Sequence, residues 1–315
     1  MSDSRLMIEL RHLHRYFGTT RAVDDVSFEV YAGQVFGYIG PNGAGKTTSM
    51  RVLATLDLPT AGDAFVDGFS VVDDPDRVRR RIGFMPDYFG TYANVNVEEY
   101  LDFYARSYRL RGPARREAVR RVTEFTRLDA LADKQTNGLS KGMKQRLCLG
   151  RALIHDPAVL VLDEPAAGLD PRARIELREM IRALAREGKT VLISSHILTE
   201  LAEMCDVVGI IERGRLVAVG SVEEMHKRVE RPHNEVQVRV LGGVAALADW
   251  LRGRPGVGDV RLDGQEIRFL HAADEKADAQ LLRAMIEAGF PVCAYGARRQ
   301  TLEDVFLQVT KGLVQ

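Results

Sequence analysis

An α/β fold on a largely parallel sheet, followed by a small α+β domain, is what this 315-residue sequence predicts. Three observations carry that expectation. From residue 7 to about 221, short apolar or β-branched runs alternate with longer helical patterns, as parallel α/β folds do. A glycine-rich stretch at 40–47 stands between one such run and a helical pattern. After Ser221 the composition shifts and a new order of strand and helix patterns begins.

The first strands, 7–11 and 27–30, alternate polar and apolar residues, which suggests an antiparallel sheet beside a parallel core. Residues 35–39, Val-Phe-Gly-Tyr-Ile, read as a buried strand, then a glycine turn and a helix over about 46–56. Further buried strands fall at 159–162, 190–194 and 207–211, with a helix at 172–186 closed by Gly188. Between about 97 and 156 the pattern is almost wholly helical, which places a helical subdomain at about 90–157 within a first domain at 1–225. There Tyr100, Phe103 and Tyr104 fall at i, i+3 and i+4 on one face, either as helix-packing core or as a docking surface.

A charged linker at 226–234 leads to the second domain, 235–315. Its patterns are a strand at 235–240, a helix at 244–251 and a hairpin of 257–262 with 266–270 around Asp263-Gly264. A helix at 274–288, a strand at 291–295 and an amphipathic helix at 301–310 complete it. The order β-α-β-β-α-β matches a ferredoxin-like domain.

Composition excludes several classes. The 44 basic and 44 acidic residues cancel, which disfavours nucleic acid as a partner. Arginine-rich stretches at 77–81 and 115–121 read as solvated helix faces. The cysteines, Cys148, Cys205 and Cys293, are odd in number and far apart, suggesting neither a disulfide framework nor a zinc site. Residues 1–9 do not read as a signal peptide, and no apolar run is long enough to span a bilayer.

The chemistry sits in two places. Gly40-Pro-Asn-Gly-Ala-Gly-Lys46-Thr47 fits G-x-x-x-x-G-K-[ST] between a predicted strand and helix, as that phosphate loop requires. Backbone N–H groups of Gly40, Pro41, Asn42, Gly43, Ala44, Gly45, Lys46, Thr47 and Thr48, proline apart, are the candidates to surround the phosphates of ATP. Lys46 reaches the β and γ phosphates, and the Thr47 hydroxyl ligates Mg²⁺. The second place is Val159-Leu-Val-Leu-Asp163-Glu164, an acidic pair ending a buried strand. Asp163 is positioned to hold Mg²⁺ through a water, and Glu164 to orient and deprotonate the attacking water.

With these in place the sequence resembles the ATP-binding-cassette family over about 7–221. Leu139-Ser-Lys-Gly-Met-Lys-Gln-Arg146 resembles the signature LSGGQ(Q)R, and Ala167-Gly-Leu-Asp170 the D-loop. His196, in Ser-Ser-His, falls at the switch histidine, and Phe17 at the aromatic that stacks on adenine, with Tyr16 as the fallback. The resemblance implies a head-to-tail homodimer in which Ser140, Gly142 and Asp170 of one chain complete the ATP site of the other. It also implies that His196 contacts the γ-phosphate. Two departures stand out. Asp87 replaces the usual glutamine, where its carboxylate still offers Mg²⁺ a ligand, and Lys141 replaces the first signature glycine, with Met143 where glutamine is frequent.

The second domain resembles the C-terminal extension of drug-resistance-type and lipid- or polysaccharide-export-type ATPases. That implies an ATP-hydrolysing subunit at the inner face of the cell membrane, powering export through separate permease subunits that dock near 86–104. The competing reading is a non-transport cassette of an assembly or regulatory complex. Long coiled coils and a second phosphate loop, the marks of several such cassettes, are missing from the sequence.

Overall fold

In the computed structural model, which describes residues 5–88, 90, 92, 94–197, 201, 203–224, 233–272 and 275–299, the chain divides into Met1–Val222 and Glu223–Gln315. The first unit is organised on β3 (Val35–Ile39), buried at every position. It lies inside a six-stranded sheet with β6 (Ile82–Met85), β7 (Val159–Leu162), β8 (Thr190–Ser195), β9 (Val207–Glu212) and β10 (Arg215–Ser221). The order is β10-β9-β3-β8-β7-β6, parallel throughout except for β10, which pairs antiparallel with β9 at the edge. Continuous apolar runs suit such strands because both faces are covered.

This order decides where function sits. The carboxyl ends of four adjacent strands, β3, β8, β7 and β6, open on one edge, where ligands bind in open α/β sheets. The chain leaves β3 into the glycine loop, β8 into His196, β7 into Asp163 and Glu164, and β6 into Asp87. Residues more than a hundred positions apart meet because register aligns Ile39 with Ser195 and Leu162 with both Ile193 and Met85.

Beside this sheet lies an antiparallel one, ordered β2-β1-β4-β5, from β1 (Leu6–Phe17), β2 (Thr20–Tyr31), β4 (Ala61–Val66) and β5 (Phe69–Ser70). Phe28 of β2 stacks on Phe36 of β3 with ring centroids 4.7 Å apart. Burying a side chain of this size contributes about 1.5–3 kcal/mol, and a stacked aromatic pair about 0.5–1.5 kcal/mol more.

At the far end of β1, Asp24 is buried and receives the Tyr16 hydroxyl at 2.8 Å and Arg215 at 2.8 and 3.0 Å. The Arg215 guanidinium, and after it the Tyr16 hydroxyl, hold the Asp24 carboxyl at about 2, below its ordinary 3.8. A depressed carboxyl contributes stability above its ordinary value and loses it as pH falls through the folded value. Asp24→Asn is therefore expected to remove part of the destabilisation seen between about pH 5 and pH 2. Urea midpoints across that range check this; a mutant with an undiminished acid slope contradicts it.

The helical subdomain comprises α3 (Val97–Ser107), α4 (Gly112–Phe125) and α5 (Lys141–Leu153), with two short 3₁₀ turns between α4 and α5. Asn96 and Glu99 form a reciprocal capping box that starts α3. The aromatic stripe divides: Tyr100 is fully buried, whereas Phe103 is half exposed beside Tyr92, 6.0 Å away between centroids. The arginine-rich stretches lie on α2 (Pro75–Arg81) and α4, where Arg79 and Arg120 pair with acids of their own helices.

The second unit runs β11 (His233–Val240), α7 (Val244–Arg252), β12 (Val257–Asp263), β13 (Glu266–Ala272), α8 (Glu275–Glu287) and β14 (Val292–Arg299). Its antiparallel sheet is ordered β12-β13-β11-β14, the ferredoxin-like arrangement. A two-residue turn at Gly264 joins Asp263 to Glu266, as the hairpin pattern requires. Val236, Val238, Ile267 and Phe269 meet Leu247 and Met285 in the core. The strand expected from 235 begins at His233, so most of the 226–234 linker, like the helix expected at 301–310, lies outside the described residues.

Candidate nucleotide site

The loop after β3 is built so that only glycine fits at its critical points. Gly45 caps α1 (Lys46–Leu53) with φ 108°, a left-handed value, and a Cβ there would collide with the Ala22 carbonyl. A Cβ on Gly40 would strike the Ile211 carbonyl of β9. The loop is pinned from behind, since Gly214 N–H donates to the Ala44 carbonyl at 2.9 Å. Pro41, Asn42 and Gly43 are exposed, while Thr48 is half-buried. The first turn of α1 offers unpaired N–H groups and a positive dipole end to an anion.

Lys46 is buried, and its ammonium donates to the carbonyls of Gly40 at 2.6 Å and Pro41 at 3.2 Å. It also lies 3.3 Å from Glu164 Oε1, which has no hydrogen bond of its own. Glu164 Oε2 is 2.9 Å from His196 Nδ1. Glu164 has φ 47°, unusual for a residue with a side chain, and Ser194 helps to hold it there. The Ser194 hydroxyl accepts from the Glu164 N–H at 2.8 Å and donates to Asp163 Oδ1 at 2.7 Å. One hydroxyl thus orients both acids. Ser194 carried no role in the sequence reading; its signal was a polar residue ending an otherwise apolar strand run.

Asp163 is 1% exposed, and its Oδ2 has no hydrogen-bond partner. Burial raises its pKa, opposed by hydrogen bonds from Ser194 and Thr47 and reinforced by the charges of Glu164 and Asp87. A buried carboxylate oxygen left unpaired beside a threonine hydroxyl is a donor set that suits a divalent cation. Asp87 itself is exposed at the end of β6.

Phe17 ends β1 and is 49% exposed, with the Arg15 guanidinium 4.3 Å from its centroid. The hydroxyl of Tyr16 donates to Asp24 at 2.8 Å.

Ser140, Gly142 and Asp170 form a second group. Ser140 caps α5, accepting from Met143 N–H at 3.3 Å, and Asp170 caps α6 (Pro171–Arg186), accepting from Ala173 N–H at 2.9 Å. All three line one cavity, and no residue of the phosphate loop lines it. Lys141 extends its ammonium over Gly168 of its own chain.

A phosphate loop and an acid–histidine pair at adjacent strand ends, on a mixed sheet bearing a helical subdomain, define a P-loop ATPase cassette. Comparison with known proteins agrees. A family model described as ABC transporter matches residues 23–167, one described as an AAA domain matches 135–202, and one described as ATP-binding protein DrrA1-3-like, C-terminal domain, matches 220–310. The Nod factor export ATP-binding protein I of Ralstonia nicotianae is 35% identical over 306 residues, covering 96% of this chain and 94% of that one. The "Probable multidrug ABC transporter ATP-binding protein YbhF" of Escherichia coli is 39% identical over 244 residues, 78% of this chain, which spans 42% of its length. Among solved structures, an ATP-binding subunit of an ABC transporter matches with a TM-score of 0.64 at 29% identity, covering 70% of this chain and 92% of that one. A dimeric bacterial ABC transporter cassette matches at 0.63 and 25%, covering 69% and 99%. The chain belongs to the ATP-binding subunits of ABC transporters, with a C-terminal accessory domain.

Proposed function

We propose that this chain binds ATP with Mg²⁺ at residues 40–48, hydrolyses it, and uses the cycle to power export through separate membrane-spanning permease subunits. The observation that supports this reading most is the grouping of Lys46, Asp163, Glu164 and His196 at adjacent strand ends, apart from Ser140, Gly142 and Asp170. Half a site in each place is what a head-to-tail dimer of two copies requires.

In this mechanism Phe17 stacks on the adenine, and the loop N–H groups with Lys46 hold the phosphates. Thr47, Asp163 and Asp87 are the residues that would hold Mg²⁺, which would supply neutralisation of the charge developing on the phosphate. Glu164 orients a water and accepts its proton as the water oxygen bonds to the γ-phosphorus. The bond to the β–γ bridging oxygen breaks, giving ADP and phosphate. His196 holds the Glu164 carboxylate on one side and donates to the γ-phosphate on the other, where charge stabilisation is worth most. Ser140 and the Gly142 N–H of the second copy close the site from the start of α5.

Among the described residues no helix is long and apolar enough to cross a membrane; in this reading the permease is a separate chain and this subunit sits on its cytoplasmic side. Half-exposed Tyr92 and Phe103, 6.0 Å apart between ring centroids, supply an apolar surface for it. The export named in the Nod factor relative favours an exporter. Isolation of the tagged chain from detergent-solubilised membranes is expected to bring down a polytopic membrane protein that stimulates its ATPase. Recovery only with soluble assembly factors contradicts the transport reading.

A further inference from the structure

Between α5 and α6 lies a cavity of about 140 Å³, directly beneath Ser140 and Gly142. It is polar. Gln145 is 4% exposed, lines it, and keeps a buried Oε1 without a hydrogen bond. A space of this size has room for several waters. The helix that carries the signature touches α6 closely at Gly142, beside Ala173, and leaves this gap next to that contact.

Charge also crosses the seam. Arg146 of α5 lies 3.7 Å from Glu176 of α6, with side chains only 19% and 23% exposed. Three residues along the same face of α6, Glu179 lies 3.6 Å from Arg127, which follows α4. Two carboxylates on one stripe of α6 thus each take an arginine from the helical subdomain. Arg172, 90% exposed and 3.4 Å from Glu176, is a second cation on the same carboxylate, contributed by α6 itself.

We propose that Glu176 is a positioning residue: through Arg146 it sets the angle at which α5 presents Ser140 and Gly142 to the partner's nucleotide. Glu179 with Arg127 is a second, more exposed tether. Arg146 lies six residues from the Ser140 cap, about 9 Å along the helix axis. A tilt of about 10° about that point moves the cap by about 1.5 Å, enough to lose a hydrogen bond to phosphate. The proposal rests on the composite-site reading.

The test uses full-length chain carrying Glu164→Gln and measures by sedimentation the ATP concentration that half-assembles the dimer. Adding Glu176→Gln is expected to raise it about tenfold, between the effects of exposed and buried ion pairs. ATP affinity of the monomer is expected to stay unchanged, and the loss of assembly to persist at temperatures well below the unfolding midpoint, which a merely structural role does not predict. Arg146→Gln is expected to match it, and the two together to be no worse than either. A parent that assembles while Glu176→Gln assembles at the same ATP concentration, or losses that add, overturns the positioning role alone. A parent that stays monomeric overturns the composite site and this role with it.

Discussion

Glu164→Gln is expected to lower turnover about 10²–10⁴-fold, the usual contribution of a general base, while ATP still binds. The amide keeps the size of the carboxylate and can still pair with His196, now 2.9 Å away. What it loses is basicity and one negative charge. That charge lies 3.3 Å from the Lys46 ammonium, so its removal frees Lys46 for phosphate and reduces repulsion of the γ-phosphate. The mutant therefore accumulates as an ATP-bound dimer. Phosphate release and sedimentation with saturating ATP measure both effects. Normal turnover by a monomeric mutant contradicts the assignment.

Lys46→Ala is expected to abolish useful nucleotide binding. The buried ammonium stands between the loop carbonyls of Gly40 and Pro41 and the carboxylate of Glu164. Without it, Glu164 and Asp163 present uncompensated charge to a polyanion. Each charge-assisted hydrogen bond is worth about 1.5–3 kcal/mol, so losing two weakens binding about a hundredfold or more. Calorimetry on the folded mutant decides the matter, and unchanged ATP affinity rules out the phosphate-loop role.

The parallel strands were legible because both faces are buried, which leaves unbroken apolar runs such as Val159–Leu162. The antiparallel pair was read too short for a specific reason. His12 and Asp25 adopt positive φ values of 46° and 64°, and the pairing shifts register beside them. These bulges break the alternation, so the pattern stopped at Arg11 and resumed at Ser27 although the strands continue through Phe17 and from Thr20. Short β4, β5 and β6 and half-buried β10 left too weak a periodicity to read.

In the site, residues were legible where backbone chemistry forces their identity. Gly45 must adopt a left-handed conformation, and Lys46 must follow it to meet phosphate. Ser194 was not legible, because its value comes from standing between Asp163 and Glu164, thirty-odd residues away in sequence. Nor was the direction of Lys141, which depends on the open space above Gly168. Tertiary neighbours, rather than local pattern, decide both.

The central claim, that each ATP site is completed by a second copy, is tested most directly by mixing two crippled chains. One carries Lys46→Ala, which spoils its phosphate loop, and the other Ser140→Arg, which spoils its signature; both also carry Glu164→Gln. Native mass spectrometry with ATP and Mg²⁺ then counts chains and nucleotides. The account predicts that neither protein dimerises alone and that the mixture forms a heterodimer holding one ATP, in the phosphate loop of the Ser140→Arg chain. Folded chains that show no ATP-dependent association when mixed contradict it.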